Sequence, residues 1–256
     1  LLSISFVSIA EEVTIREFDL KTIESLGEKI YKQDLLAARA TDILFAQNLN
    51  LNEYPVRGWL VEQNNKKDEV IFIGEYDKEY RGVFRISFKN SVAGKFSKLD
   101  QEKLTEEQLC QFRARTLALK NIDQPCSQKY NVVILKDIDG DGYLVYALAS
   151  IADPDVIVVG GHYRFTISED GKTIEQKDKL FKSCLILDKT PPELKKGDEL
   201  AAYTMSHVVS NTPVEIHVFL QMQNKPFYLI TPDERMWFIE KGLIYSLKNG
   251  QVSRSW

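Results

Sequence analysis

From residue 129 onward the chain is a succession of short runs rich in Val, Ile, Tyr and Phe, cut by turn residues. Such spacing dictates sheet. Residues 130–136, 143–150, 156–159, 162–168 and 180–186 form a first set of predicted strands, and 214–222, 225–231, 236–240 and 243–247 a closing meander. Connections this short cannot return the chain for parallel pairing, so neighbours are expected to run antiparallel. Asp170-Gly171 and Asn249-Gly250 predict hairpin turns of type I′, since these residues tolerate positive φ. Residues 199–208 predict a short helix.

The first half is predicted to add two helices and three strands. Ile23, Leu26, Ile30, Ala37, Thr41 and Leu44 recur at helical spacing within 18–47, with Asp19 as N-cap and Tyr54-Pro55 as a stop. Strands are expected at 56–62, 69–75 and 80–88. Thr105-Glu106-Glu107-Gln108 is a capping box opening a helix over 105–120. The expected class is therefore α+β, mainly antiparallel sheet in β-meanders with two amphipathic helices packed on it. A division into 11–125, a helix plus strands, and 126–256, β-rich, is expected, or one continuous domain over 11–256.

Charge and hydropathy exclude some functions. With 33 Lys+Arg against 37 Asp+Glu, and no basic half, the footprint of a nucleic-acid binder is missing. No stretch approaches the roughly 20 apolar residues of a transmembrane span, which predicts a soluble protein. The chain opens Leu1-Leu2-Ser3-Ile4-Ser5-Phe6-Val7-Ser8-Ile9-Ala10 before Glu11-Glu12. An apolar run closing on Ser8-Ile9-Ala10 reads as the remnant of a secretory signal over 1–10. The plainer reading is an edge strand, since Leu2, Ile4 and Phe6 alternate with serines. If the compartment is oxidising, Cys126 and Cys184 are the natural disulfide pair, and helical Cys110 is a buried free thiol. A nucleophilic Cys184 has no supporting signature.

Candidate sites follow from strand parity. In 162–167, Tyr163, Phe165 and Ile167 share one face, with His162, Arg164 and Thr166 on the other. In 214–220, Val214, Ile216, Val218 and Leu220 oppose Glu215, His217 and Phe219. If both strands lie in one sheet, His162, Arg164, Glu215 and His217 gather on one polar surface. Such a group binds an anion through Arg164 and the histidines or performs acid–base chemistry with a His/Glu pair. The plainer reading is an ordinary solvent-facing sheet surface. Asp137-Ile138-Asp139-Gly140-Asp141-Gly142 starts like a calcium loop, but its twelfth position is Leu148, so a solvated hairpin turn is expected. Gly160-Gly161 lacks the helix of a phosphate cradle and predicts a bend. His207 joins His162 and His217 as the third histidine, but nothing in the spacing requires zinc.

Gly160-Gly161-His162-Tyr163-Arg164, Ser183-Cys184-Leu185 and the run from Pro213 to Leu220 resemble an uncharacterised group of secreted proteins from Gram-negative bacteria. Arg113-Ala114-Arg115 and Pro125-Cys126-Ser127 extend the resemblance over about residues 25–245. The resemblance implies a periplasmic or secreted setting and a Cys126–Cys184 bond, and no activity; Cys110 departs from it. The expected function is an exported soluble binding or protein-interaction module of the bacterial envelope. Its partner is an unknown protein or small ligand, and no cofactor or metal is expected. The alternative is a periplasmic hydrolase using His162, Glu215 and His217.

Overall fold

The computed structural model describes residues 14–63, 67–89, 92–191 and 197–254; the proposed signal remnant, 1–10, lies outside them. The chain is α+β with mainly antiparallel sheet. The first helix, α1 (Leu20–Phe45), starts where Asp19 accepts the Thr22 amide at 3.0 Å. Strands β1 (Val56–Gln63), β2 (Asp68–Tyr76), β3 (Glu79–Lys89) and β4 (Val92–Lys103) form an antiparallel sheet in chain order. Strand β4 is a correction, because no strand is predicted there. Its 95–103 stretch is polar and charged, the composition of a sheet edge, and it carries no hydrophobic alternation to reveal it. Helix α2 (Glu106–Lys120) has the expected capping box on Thr105 and Gln108.

A central sheet follows, with order β5-β6-β8-β9 in which all neighbours are antiparallel. It comprises β5 (Lys129–Lys136), β6 (Tyr143–Ser150), β8 (Tyr163–Ile167) and β9 (Ile174–Lys179), while β7 (Val156–Val158) and β10 (Ile186–Asp188) pair in a separate ribbon. Every residue of β6 from Tyr143 to Ala149 is buried, so helices cover both faces. Leu144, Tyr146 and Leu148 face α1, and Tyr143, Val145 and Ala147 face Cys110, Ala114 and Ala118 of α2. Each of these two helices also reaches the first sheet, α1 through Leu36, Ala40 and Leu44, and α2 through Phe112.

Three expectations in the second half are corrected. Residues 199–208 contain a strand, β11 (Tyr203–Ser206), parallel to its neighbour β12 (Phe227–Ile230). Tyr203 and Met205 are buried while Thr204 and Ser206 are exposed, a period-two signal too short to outweigh the helix formers before it. Residues 214–222, read as a strand, contain a third helix, α3 (Glu215–Gln221). All seven residues of α3 are buried, its polar Glu215, His217 and Gln221 included, so no exposed face set a helical period apart from that of a buried strand. Residues 180–186, also read as a strand, largely connect β9 to β10. The meander closes with β13 (Met236–Glu240), β14 (Leu243–Lys248) and β15 (Gln251–Ser253), and Asn249 and Gly250 take φ of 52° and 73° at the expected hairpin. At the other expected hairpin only Gly171 of the Asp170-Gly171 pair is left-handed, with φ of 73°.

Helix α3 lies against α1, and Gly27 makes the approach possible. A Cβ there would stand 2.5 Å from Val218 Cβ and 2.8 Å from the Glu215 carbonyl oxygen. Gly27→Ala must therefore separate the two helices. A loss of about 1–3 kcal/mol is expected, read as a lowered urea midpoint at unchanged m value.

Candidate functional site

Arg164 and Glu215 pair directly, while His162 and His217 stand apart from them against Phe181, all four inside the protein. Arg164 and Glu215 are each 1% exposed, and so is His162, while His217 is 0% exposed. The expected solvent-facing polar surface is corrected: parity places His162, Arg164 and Thr166 opposite Tyr163 and Phe165, and helix α3 then covers that face.

Arg164 sits on β8 beside Asp178 of β9, its direct cross-strand neighbour. Its Nε and Nη2 donate to Asp178 Oδ2 at 2.8 and 2.6 Å, and Nη1 donates to Glu215 Oε1 at 2.6 Å. Nη2 also donates to the Arg16 carbonyl. Burial alone would lower the pKa of Arg164, but Glu215, Tyr146 and Asp178 outweigh it and raise the value. Burial, with the Glu215 charge, pushes the Tyr146 hydroxyl well above its ordinary range. The Phe18 ring takes the Arg164 and Arg16 guanidinium groups at 4.7 and 4.9 Å. Arg16 in turn holds Asp137 and Asp139 at 2.7 Å each, so the carboxylates that opened the calcium-like loop lie in an ion-paired turn between β5 and β6. Asp178, Arg16 and Tyr146 join this network without any sequence signal; only pairing register shows them.

The histidines form a second cluster around Phe181, whose ring centroid lies 5.8, 5.9 and 5.2 Å from those of His162, His207 and His217. His207 and His217 meet edge to face at 4.6 Å. Their hydrogen bonds assign the tautomers. Ser210 donates its hydroxyl to the Thr212 carbonyl, so His207 Nε2 must be the donor to Ser210, and its Nδ1 is a bare acceptor. His217 Nδ1 accepts the Val214 amide, closing the first turn of α3 as a capping-box Gln would, so its Nε2 carries the proton. Burial lowers the pKa of His162 and His207 to about 4. Burial, and then repulsion from His207, holds His217 well below its ordinary value. A metal-bound imidazole donates its second nitrogen rather than accepting there, which the Val214 bond reverses at His217. Among the described residues no group of three His, Cys, Asp or Glu side chains could hold a metal ion.

His162 also lines a cleft of about 180 Å³ between α1, the end of β6, the β7–β10 ribbon and the end of α3. Its Nδ1 accepts the Ala149 amide at 3.1 Å, and its Nε2 reaches the Val158 carbonyl at 2.9 Å. Both nitrogens are spent on backbone, so His162 ties two cleft walls together. Asp34 of α1 projects into the same cleft and accepts from Asn131 Nδ2 at 3.0 Å. It keeps some exposure on the cleft side, yet surrounding protein desolvates it, which raises its carboxyl pKa. Asp34 carries no motif and was not predicted.

Cys126 and Cys184 are bonded, with Cα atoms 5.3 Å apart, and Cys110 is a buried free thiol. The bond ties the segment before β5 to the loop after β9. With a sequence separation of 58, removing it through Cys126→Ser/Cys184→Ser is expected to cost about 4 kcal/mol on the chain-entropy model. Urea unfolding of oxidised and variant protein measures this, and thiol titration of the denatured, unreduced chain should find Cys110 alone. Among the described residues no helix is long and apolar enough to cross a membrane. Comparison with protein-family models, with curated proteins and with solved structures returns no match.

Proposed function

We propose that this chain is an exported binding module of the bacterial envelope that holds a small ligand in the cleft beside His162. The observation carrying this reading is the cleft itself, where the half-buried Asp34 has a neutral amide as its hydrogen-bond partner. A carboxylate partly shielded from water and without a cation gains when something supplies one, so the site can gain from a ligand. The Cys126–Cys184 bond supports a setting beyond the reducing cytosol. The hydrolase alternative gains nothing from the geometry: Glu215 is committed to Arg164, His162 to two backbone groups, and His217 to the start of α3.

Native mass spectrometry of protein purified without denaturation tests the reading. The expected result is a bound small-molecule mass that is lost when Asn131→Trp fills the cleft. Hydrolysis of any ester, amide or glycoside probe that disappears in a folded His217→Gln variant would favour the enzyme instead.

A further inference from the structure

The cleft carries charges of opposite sign on different walls. Asp34 belongs to α1, whereas Lys189 follows β10 on the ribbon side. Lys189 is exposed at the cleft rim, its Nζ donating to the Pro154 carbonyl at 2.7 Å, and neither residue has an ion-pair partner among the described residues. The lining also includes the Asn131 amide and, with little of their surface exposed, Leu148, Ile157 and Phe219.

We infer that the cleft recognises a small zwitterion of the free amino acid class, with its ammonium on Asp34 and its carboxylate on Lys189. The inference rests on the binding-module reading above and names the ligand class of that site. Size and charge both support it. A cavity of about 180 Å³ is slightly larger than the roughly 150 Å³ apolar cavity that accepts benzene, and far below a drug-sized site. It therefore takes a molecule with few heavy atoms. A purely cationic ligand would meet Lys189 unfavourably, and a purely anionic one would leave Asp34 desolvated and repelled. A zwitterion satisfies both. Charge-assisted hydrogen bonds at both ends account for most of the expected selectivity.

The experiment is an NMR titration of the full chain with the free L-amino acids, with ethylamine and propionate as half-ligands, and with glucose as a neutral control. At least one amino acid should shift the resonances of Asn131, Ser150 and Asn224, and the half-ligands should bind about ten-fold more weakly or worse. Asp34→Asn and Lys189→Gln should each weaken binding by about ten-fold or more at unchanged unfolding midpoints. The Asp34 carboxyl pKa, followed by carbon-detected titration, should fall when the amino acid is bound. Binding of no amino acid, or equal binding by Asp34→Asn, overturns the zwitterion. If glucose or a co-purified neutral compound then occupies the cleft, the binding-module reading survives alone. If the cleft binds none of these compounds and the native protein carries no bound mass, both readings fall.

Discussion

Arg164→Met is expected to destabilise the protein by about 3–5 kcal/mol, because it strands Asp178 and Glu215 as buried carboxylates with no cation between them. Both acids and the arginine are 1% exposed, so water cannot take over the lost role. Equilibrium urea unfolding at neutral pH gives the number. The diagnostic comparison is with Arg164→Met/Asp178→Asn/Glu215→Gln. Removing all three charges abolishes the desolvation cost, so the triple variant should regain much of what the single one loses. A single variant within about 1 kcal/mol of wild type would mean that the network is solvated and that α3 does not seal β8. The network holds α3 at its first residue, Glu215, to β8 and β9, and so fixes one wall of the cleft.

Acid should destabilise the protein above the range in which its exposed carboxylates titrate, with only the raised Asp34 carboxyl opposing the trend. The chain has three histidines and all three are buried and neutral. Their pKa values in the folded state are depressed, to about 4 for His162 and His207 and well below the ordinary value for His217. The unfolded chain therefore binds more protons below pH about 6.5, and stability is lost as pH falls from there toward the folded values. Each histidine then costs about 1.4 kcal/mol per pH unit, so the three together remove about 6 kcal/mol between pH 7.5 and pH 5.0. That rivals the whole stability of an ordinary domain. The lowered carboxyls of Glu69 and Asp137 act only at lower pH. Unfolding free energies at matched ionic strength, from pH 7.5 to 5.0, should rise with pH at a slope approaching three protons. His217→Gln should remove about one proton from it. A slope below one proton in wild type would place the histidines in water and contradict the cluster around Phe181.

Local physics carried much of this fold. The helical stripe of α1, the Asp19 cap and the Thr105-Gln108 box that opens α2 are legible because each is a pattern within a few neighbouring residues. Strands β5, β6 and β8 of the central sheet and β12, β13 and β14 of the closing meander are legible for the same reason, and so is the parity that sets Arg164 opposite Tyr163 and Phe165, whereas the polar β9 falls outside the predicted strands. The cysteine pair was legible only through the chemistry of an oxidising compartment and the resemblance to secreted proteins. Tertiary structure decided what those faces meet. The apolar run after Pro213 is equally suited to strand or helix, and α1, the central sheet and the closing meander enclose it as α3. Once α3 lies over β8, a polar row that would have faced solvent becomes a sealed ion pair and a set of neutral histidines. Asp34 and Lys189, far apart in sequence and unmarked by any motif, share one cleft through helix and ribbon placement alone. Backbone preference and periodicity are properties of a few adjacent residues. Burial, pairing partner and charge state depend on residues that the chain brings together only when it folds.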